Sequence, residues 1–125
     1  MNKALTIIIA LLGTLFVFLG LRWLVDPSGS AADLGMPLLE GLGRSTQIGD
    51  LGAFFFAGGT MSLIALVTRT ASWFYAPALL LGCTALFRTI AWLAHGAPFA
   101  AEQIVVEVVV ATVLIVGAKR LTEKN

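Results

Sequence analysis

Residues 72–118, SWFYAPALLLGCTALFRTIAWLAHGAPFAAEQIVVEVVVATVLIVGA, decide the fold of this chain. They hold two apolar runs, Ser72 to Ala94 and Ala100 to Ala118, separated by His95, Gly96, Ala97, Pro98 and Phe99. Each run is near the ~20 residues that a helix needs to cross a ~30 Å hydrocarbon core. A connection this short makes the two helices antiparallel neighbours. Each run also contains a charge, Arg88 in the first and Glu107 in the second, and a charge in hydrocarbon demands a reason. At ~1.5 Å per residue, Arg88 lies roughly 10 Å in from His95 and Glu107 roughly 10 Å in from Ala100. The matching depths predict a bidentate guanidinium–carboxylate pair, which offsets much of the desolvation cost of both groups.

Two further apolar runs, Leu5 to Val25 and Ile48 to Val67, have the same length and character. The four together predict an all-α integral membrane four-helix bundle, a single membrane domain over residues 1–125. The spans lie at about 5–25, 48–67, 72–94 and 100–118, with a loop over 26–47. The runs do not alternate polar with apolar residues, which argues against a membrane barrel. Composition agrees: 58% of the 125 residues are hydrophobic and 12% charged, against roughly 25% charged in a soluble domain. The first run is longer than the ~7 to 15 apolar residues of a secretory signal, so it reads as a retained span. Cys83, the only cysteine, cannot form a disulfide within one chain and reads as a packing residue.

A net charge of +1 conceals an asymmetry. Lys3, Arg69, Lys119, Arg120 and Lys124 fall on one side of the drawn spans. The other side has Arg22 and Arg44 among the acids Asp26, Asp33, Glu40, Asp50 and Glu102. The positive-inside rule then places both termini in the cytoplasm and the 26–47 loop outside. Trp73 and Tyr75 near one boundary, with Trp23 and Trp92 near the other, fit aromatic belts. Nothing supports nucleic-acid binding.

The 26–47 loop exceeds the length at which connections are usually functional or disordered. Its Leu34, Met36, Leu38, Leu39 and Leu42 suggest a segment lying at the membrane interface, or a lid over the outward helix ends. Small residues recur where helices approach closely in lipid: Gly13 and Gly20 on the first span, Gly49, Ala53 and Ala57 on the second, Ala78 and Gly82 on the third.

The candidate ligand-binding residues are Arg88, Glu107, Gln103, Asp50, Trp92, His95 and Arg22. Gln103 is one helical turn from Glu107, while Thr84, Trp92 and His95 share the Arg88 face, so a polar stripe runs outward from the pair. Asp50 admits two readings. In the first turns of its helix it favours the positive end of the dipole, or it faces the bundle and shares Arg88 or Arg22 with Glu107. One histidine among scattered acids makes a poor metal site. No nucleophile elbow, phosphate-binding glycine loop or zinc motif is present, so an enzyme is not expected and no cofactor is implied.

The run Leu86, Phe87, Arg88, Thr89, Ile90, Ala91, Trp92, followed by His95, Gly96, Ala97, Pro98 and an apolar helix with Glu107, resembles a family of small bacterial four-span membrane proteins defined by a domain of unknown function. Phe54, Phe55, Phe56, Ala57 and Gly58 extend the similarity to the second span. The resemblance implies an inner-membrane protein, and an arginine after the acidic residue of the second span, where this chain has Leu51 and Gly52.

Three functions follow as expectations. The first is a binding module for a small amphipathic or anionic ligand, anchored by Arg88 in the outward half of the bundle. The second is an accessory or assembly subunit of a larger membrane complex, and the third a small proton-coupled transporter acting as a homodimer.

Overall fold

The computed structural model describes residues 2–122; Glu123, Lys124 and Asn125, with the charge expected of Lys124, lie outside them. The described chain is an all-α helical bundle without strands. Its elements are α1 (Asn2–Val25), α2 (Pro27–Asp33), α3 (Leu42–Thr46), a π-helical turn (Gln47–Leu51), α4 (Gly52–Thr68), α5 (Ala71–Ala94) and α6 (Ala101–Arg120). Four helices, Asn2–Val25, Leu42–Thr68, Ala71–Ala94 and Ala101–Arg120, are long and apolar enough to cross a membrane. The second begins at Leu42, almost two turns before the expected Ile48, because α3, the π turn and α4 run on without a break.

The helices are apolar on the outside. Leu11, Phe18, Leu24, Val67, Leu79, Phe87, Leu93 and Val105 are all exposed, whereas the buried positions include Ala65, Ala78, Ala85, Ala111, Ser62, Gln47 and Glu107. Water would drive such a surface to aggregate; lipid is its natural solvent, and small residues inside let backbones approach. Threonine hydroxyls follow the same logic. Those of Thr6, Thr68, Thr84, Thr89 and Thr112 each donate to the carbonyl four residues earlier, so these hydroxyls are satisfied within their own helices. The molecule is a multi-pass membrane protein.

The chain groups into two compact units, Leu11–Thr60 and the described residues on either side of it. Within Leu11–Thr60, α1 and α4 approach backbone to backbone. A Cβ on Gly59 would come within 2.5 Å of the Gly13 carbonyl oxygen, and one on Gly20 within 2.5 Å of the Phe56 amide nitrogen. Gly13 and Gly20 therefore behave as expected, but Gly52 and Gly59 receive them. Gly49, Ala53 and Ala57 are exposed instead. The physical reason is periodicity: the two glycine pairs are each seven residues apart and match across the interface, while the π turn separates Gly49 from the phase of α4. Trp23, expected in an aromatic belt, is buried at 1% exposure. Gly52 makes the room, since a Cβ there would sit 3.1 Å from Trp23 Cβ.

The 26–47 loop is built from α2, an extended stretch and α3. Asp26 caps α2 by accepting from the Gly29 amide at 3.1 Å, with Pro27 opening the helix, the usual chemistry of a helix start. Buried Gln47 then ties the extended stretch down. Its Oε1 accepts from the Leu39 amide at 2.8 Å and its Nε2 donates to the Pro37 carbonyl at 3.1 Å, while Arg44 Nε donates to the Leu39 carbonyl at 2.8 Å.

In the other unit, α5 and α6 form an antiparallel hairpin. The buried stripe of α5 contains Phe74, Ala78, Leu81 and Ala85, and that of α6 Glu107, Ala111, Leu114 and Ala118. Steps of four and three residues are the repeat of a knobs-into-holes seam. Arg88 is the next position of the α5 series and Leu121, also buried, the next of α6. Gly117 lies under Phe74: a Cβ there would meet Phe74 Cε1 at 2.9 Å.

Candidate functional site

The seam explains why Arg88 and Glu107 meet. Each occupies a core position of its helix, Arg88 at the end of the α5 stripe and Glu107 at the start of the α6 stripe, so antiparallel packing brings them level. Arg88 Nε donates to both Glu107 oxygens, at 3.0 Å each. Exposure is unequal: 35% of the arginine side chain is accessible against 10% of the glutamate.

The pairing differs from the expected fork-to-fork geometry in a way that matters chemically. One N–H serves both carboxylate oxygens, and the two terminal nitrogens, Nη1 and Nη2, make no hydrogen bond with the described residues. A guanidinium has five N–H donors. Glu107 therefore holds Arg88 by its inner edge and leaves the outer fork open, which is the edge that recognises a planar carboxylate or a phosphate.

The other expected residues are placed less closely. Gln103 is half-buried one turn before Glu107, without a hydrogen bond to either member of the pair among the described residues. Trp92, one turn beyond Arg88, is exposed and rests against Phe99 with ring centroids 4.7 Å apart. His95 is exposed and ends α5, its amide donating to the Ala91 carbonyl at 3.0 Å. Thr84 is satisfied within its own helix.

Asp50 is exposed in the π turn. Because the helix starts at Leu42, Asp50 lies more than two turns in, and the expected placement near the dipole end does not hold. Arg22 has partners of its own. Its Nη1 donates to Asp33 Oδ2 and its Nη2 reaches Asp26 Oδ2 at 3.5 Å. Sequence reasoning missed this cluster, although Arg22 and Asp26 stand four residues apart and Asp26–Pro27 is a recognisable helix start. Cys83, read as a packing residue, is exposed.

No family model, curated protein or solved structure matches the chain. The resemblance drawn from the Arg88 and Glu107 segments and from Phe54 to Gly58 thus rests on the sequence pattern alone.

Proposed function

We propose that the chain binds a small anionic or amphipathic ligand at Arg88, with Glu107 holding the guanidinium in place. The observation that carries this reading is the open outer fork of Arg88, fixed at its inner edge by a buried carboxylate. A guanidinium whose only task was to staple two helices would be expected to turn its fork onto the carboxylate, since two parallel bonds are stronger than one shared donor. Gln103, Trp92 and His95 lie within about two turns of the pair along the same hairpin, and form the polar and aromatic surroundings of the ligand. Asp50 and Arg22 belong to the wider set of candidate residues and have no assigned task. In the proposed orientation the pair sits in the outward half of the bundle, both termini face the cytoplasm, and the membrane is a bacterial inner membrane.

The test uses protein in a neutral detergent titrated with dodecyl phosphate, dodecanoate and dodecyltrimethylammonium. The two anions should bind at least about tenfold more tightly than the cation, the equivalent of one charge-assisted hydrogen bond at ~1.5 kcal/mol. The Arg88→Gln, Glu107→Gln double variant keeps a hydrogen-bonding pair at the seam and removes both charges. It should remain folded and lose the roughly tenfold part of the preference that the Arg88 fork supplies. A preference unchanged from the parent protein, or its absence from the parent protein, refutes the reading.

A further inference from the structure

The hairpin carries a second feature at its other end, where the α4–α5 turn, the start of α1 and the end of α6 converge. Arg69 Nη1 donates to the Leu121 carbonyl at 3.4 Å, and Asn2 Nδ2 donates to the Arg120 carbonyl at 3.3 Å. These two bonds bring Lys3, Arg69, Lys119 and Arg120 to one end of this unit, all four exposed. The acidic residues of the described chain, Asp26, Asp33, Glu40, Asp50, Glu102 and Glu107, all lie elsewhere in the sequence, and Glu107 is twelve residues, about 18 Å, up α6 from Lys119. Arg69 adopts φ +53, a left-handed conformation that glycine takes at lower cost. An arginine there supplies a cation at the turn in spite of the backbone penalty.

An apolar groove of about 720 Å³ begins beside this cluster. Its lining includes Ser72, Tyr75, Leu79, Gly82 and Leu86 of α5 and Ile115 of α6. Ser72 follows Arg69 by three residues. Lys119 follows Ile115 by four, so it stands on the same face of α6, one turn toward the charged end. From Ser72 to Leu86 the groove runs roughly 21 Å along the helix at ~1.5 Å per residue, longer than one leaflet of a ~30 Å hydrocarbon core. Exposed Trp73 and Tyr75 mark the level of the headgroups, where amphipathic rings settle. Arg88 is two residues past Leu86 and faces nearly the opposite way round α5, so the groove and the Arg88 fork are separate.

We infer that this end of the hairpin is a binding site for one anionic phospholipid, its phosphate held by Arg69 and Lys119 and one acyl chain lying in the α5–α6 groove. Charge complementarity selects the headgroup: four cations gathered at one end favour phosphate, and Glu123 is the one acid close to them in the sequence. Continuity with an open apolar groove long enough for an acyl chain selects a lipid over a free anion. Lys3 and Arg120 contribute field at the rim.

Protein in neutral detergent is incubated with phosphatidylglycerol, phosphatidylcholine or inorganic phosphate, and retained lipid is counted by native mass spectrometry alongside the melting temperature. Phosphatidylglycerol should be retained in preference to phosphatidylcholine by roughly 25-fold, at about fivefold for each of two cations near a charged headgroup. The Arg69→Gly, Lys119→Gln variant preserves the left-handed turn and should lose most of that preference. Gly82 has open space around it, so Gly82→Phe fills the groove without disturbing the seam and should lower retention of phosphatidylglycerol. Equal retention of the two lipids by the parent protein overturns the inference. So does equal stabilisation by inorganic phosphate, unchanged retention in Gly82→Phe, or a lipid-free dimer that covers the groove.

Discussion

Arg88 and Arg22 are both arginines in the membrane helices of one chain, each engaged by carboxylates, yet the two centres are built on opposite terms. At Arg88 the carboxylate is the buried partner, 10% exposed, and the guanidinium is held by one nitrogen, its fork unbonded among the described residues. At Arg22 the carboxylates are the open partners, at 55% for Asp26 and 62% for Asp33, and the terminal nitrogens of the guanidinium make the contacts. In the first centre a buried acid holds a more accessible base. In the second the base gathers two acids, one of which already caps α2. Burial of the carboxylate is what separates a positioned cation from a surface clasp.

The largest expected effect tests that asymmetry directly. Arg88→Ala would strand a buried carboxylate beneath the α5–α6 seam, and removing one partner of a buried pair costs ~3 to 5 kcal/mol. Glu107→Ala leaves behind a guanidinium that is already one-third accessible and has a long stem with which to reach the headgroup region. Its cost should be smaller by at least about 1 kcal/mol, since the stranded group is then not buried. Unfolding of each variant in mixed detergent micelles measures the difference. Equal losses would mean that the pair is a symmetrical staple, and would weaken the case for a free fork.

This asymmetry was only half visible in the sequence. That Arg88 and Glu107 meet follows from counting residues inward from a short turn, because helix rise is constant and both runs are uninterrupted. Which nitrogen would carry the contact is not countable, since it depends on a side-chain rotamer fixed by the packed seam. Arg22 was harder still. Its partners lie in a connection whose helical turn over Pro27–Asp33 is short, and only the folded α2 brings Asp33 back to the end of α1. Trp23 shows the same limit: next to Arg22 at a helix end it reads as an interface residue, but an opposing glycine, Gly52, admits it to the interior. Spacing by four pointed to Gly49, Ala53 and Ala57 on the second span, whereas the partner helix selects by its own spacing of seven.

The next effect concerns the scaffolds rather than the charges. Gly59→Ala places a methyl within 2.5 Å of the Gly13 carbonyl oxygen and 2.6 Å of the Val17 amide nitrogen. Both are backbone atoms, and relief requires α1 and α4 to move apart. Overpacking of this kind costs typically ~1 to 3 kcal/mol. The corresponding Cβ at Gly117 meets Ile9 Cδ1 at 2.8 Å and Phe74 Cε1 at 2.9 Å, which are side-chain ends that can rotate away. Gly117→Ala should therefore be the milder change, read as the smaller drop in melting temperature. Reversal of the order would place the more rigid contact in the α5–α6 hairpin.

The smallest effect belongs to the Arg22 clasp. Arg22→Gln removes both ion pairs at once, but its acids remain exposed and Asp26 keeps its bond to the Gly29 amide, so no buried charge is left behind. Exposed pairs contribute ~0.2 to 1 kcal/mol, and that is the loss expected. It should also shrink as salt is raised, because at about 1 M the screening length falls to ~3 Å, while the cost of Arg88→Ala should persist with its carboxylate sheltered. A salt titration of the two variants side by side converts the structural contrast into a thermodynamic one. If Arg22→Gln proved as costly as Arg88→Ala and equally indifferent to salt, exposure of the carboxylate would not be what distinguishes the centres, and the free fork of Arg88 would lose its claim to be special.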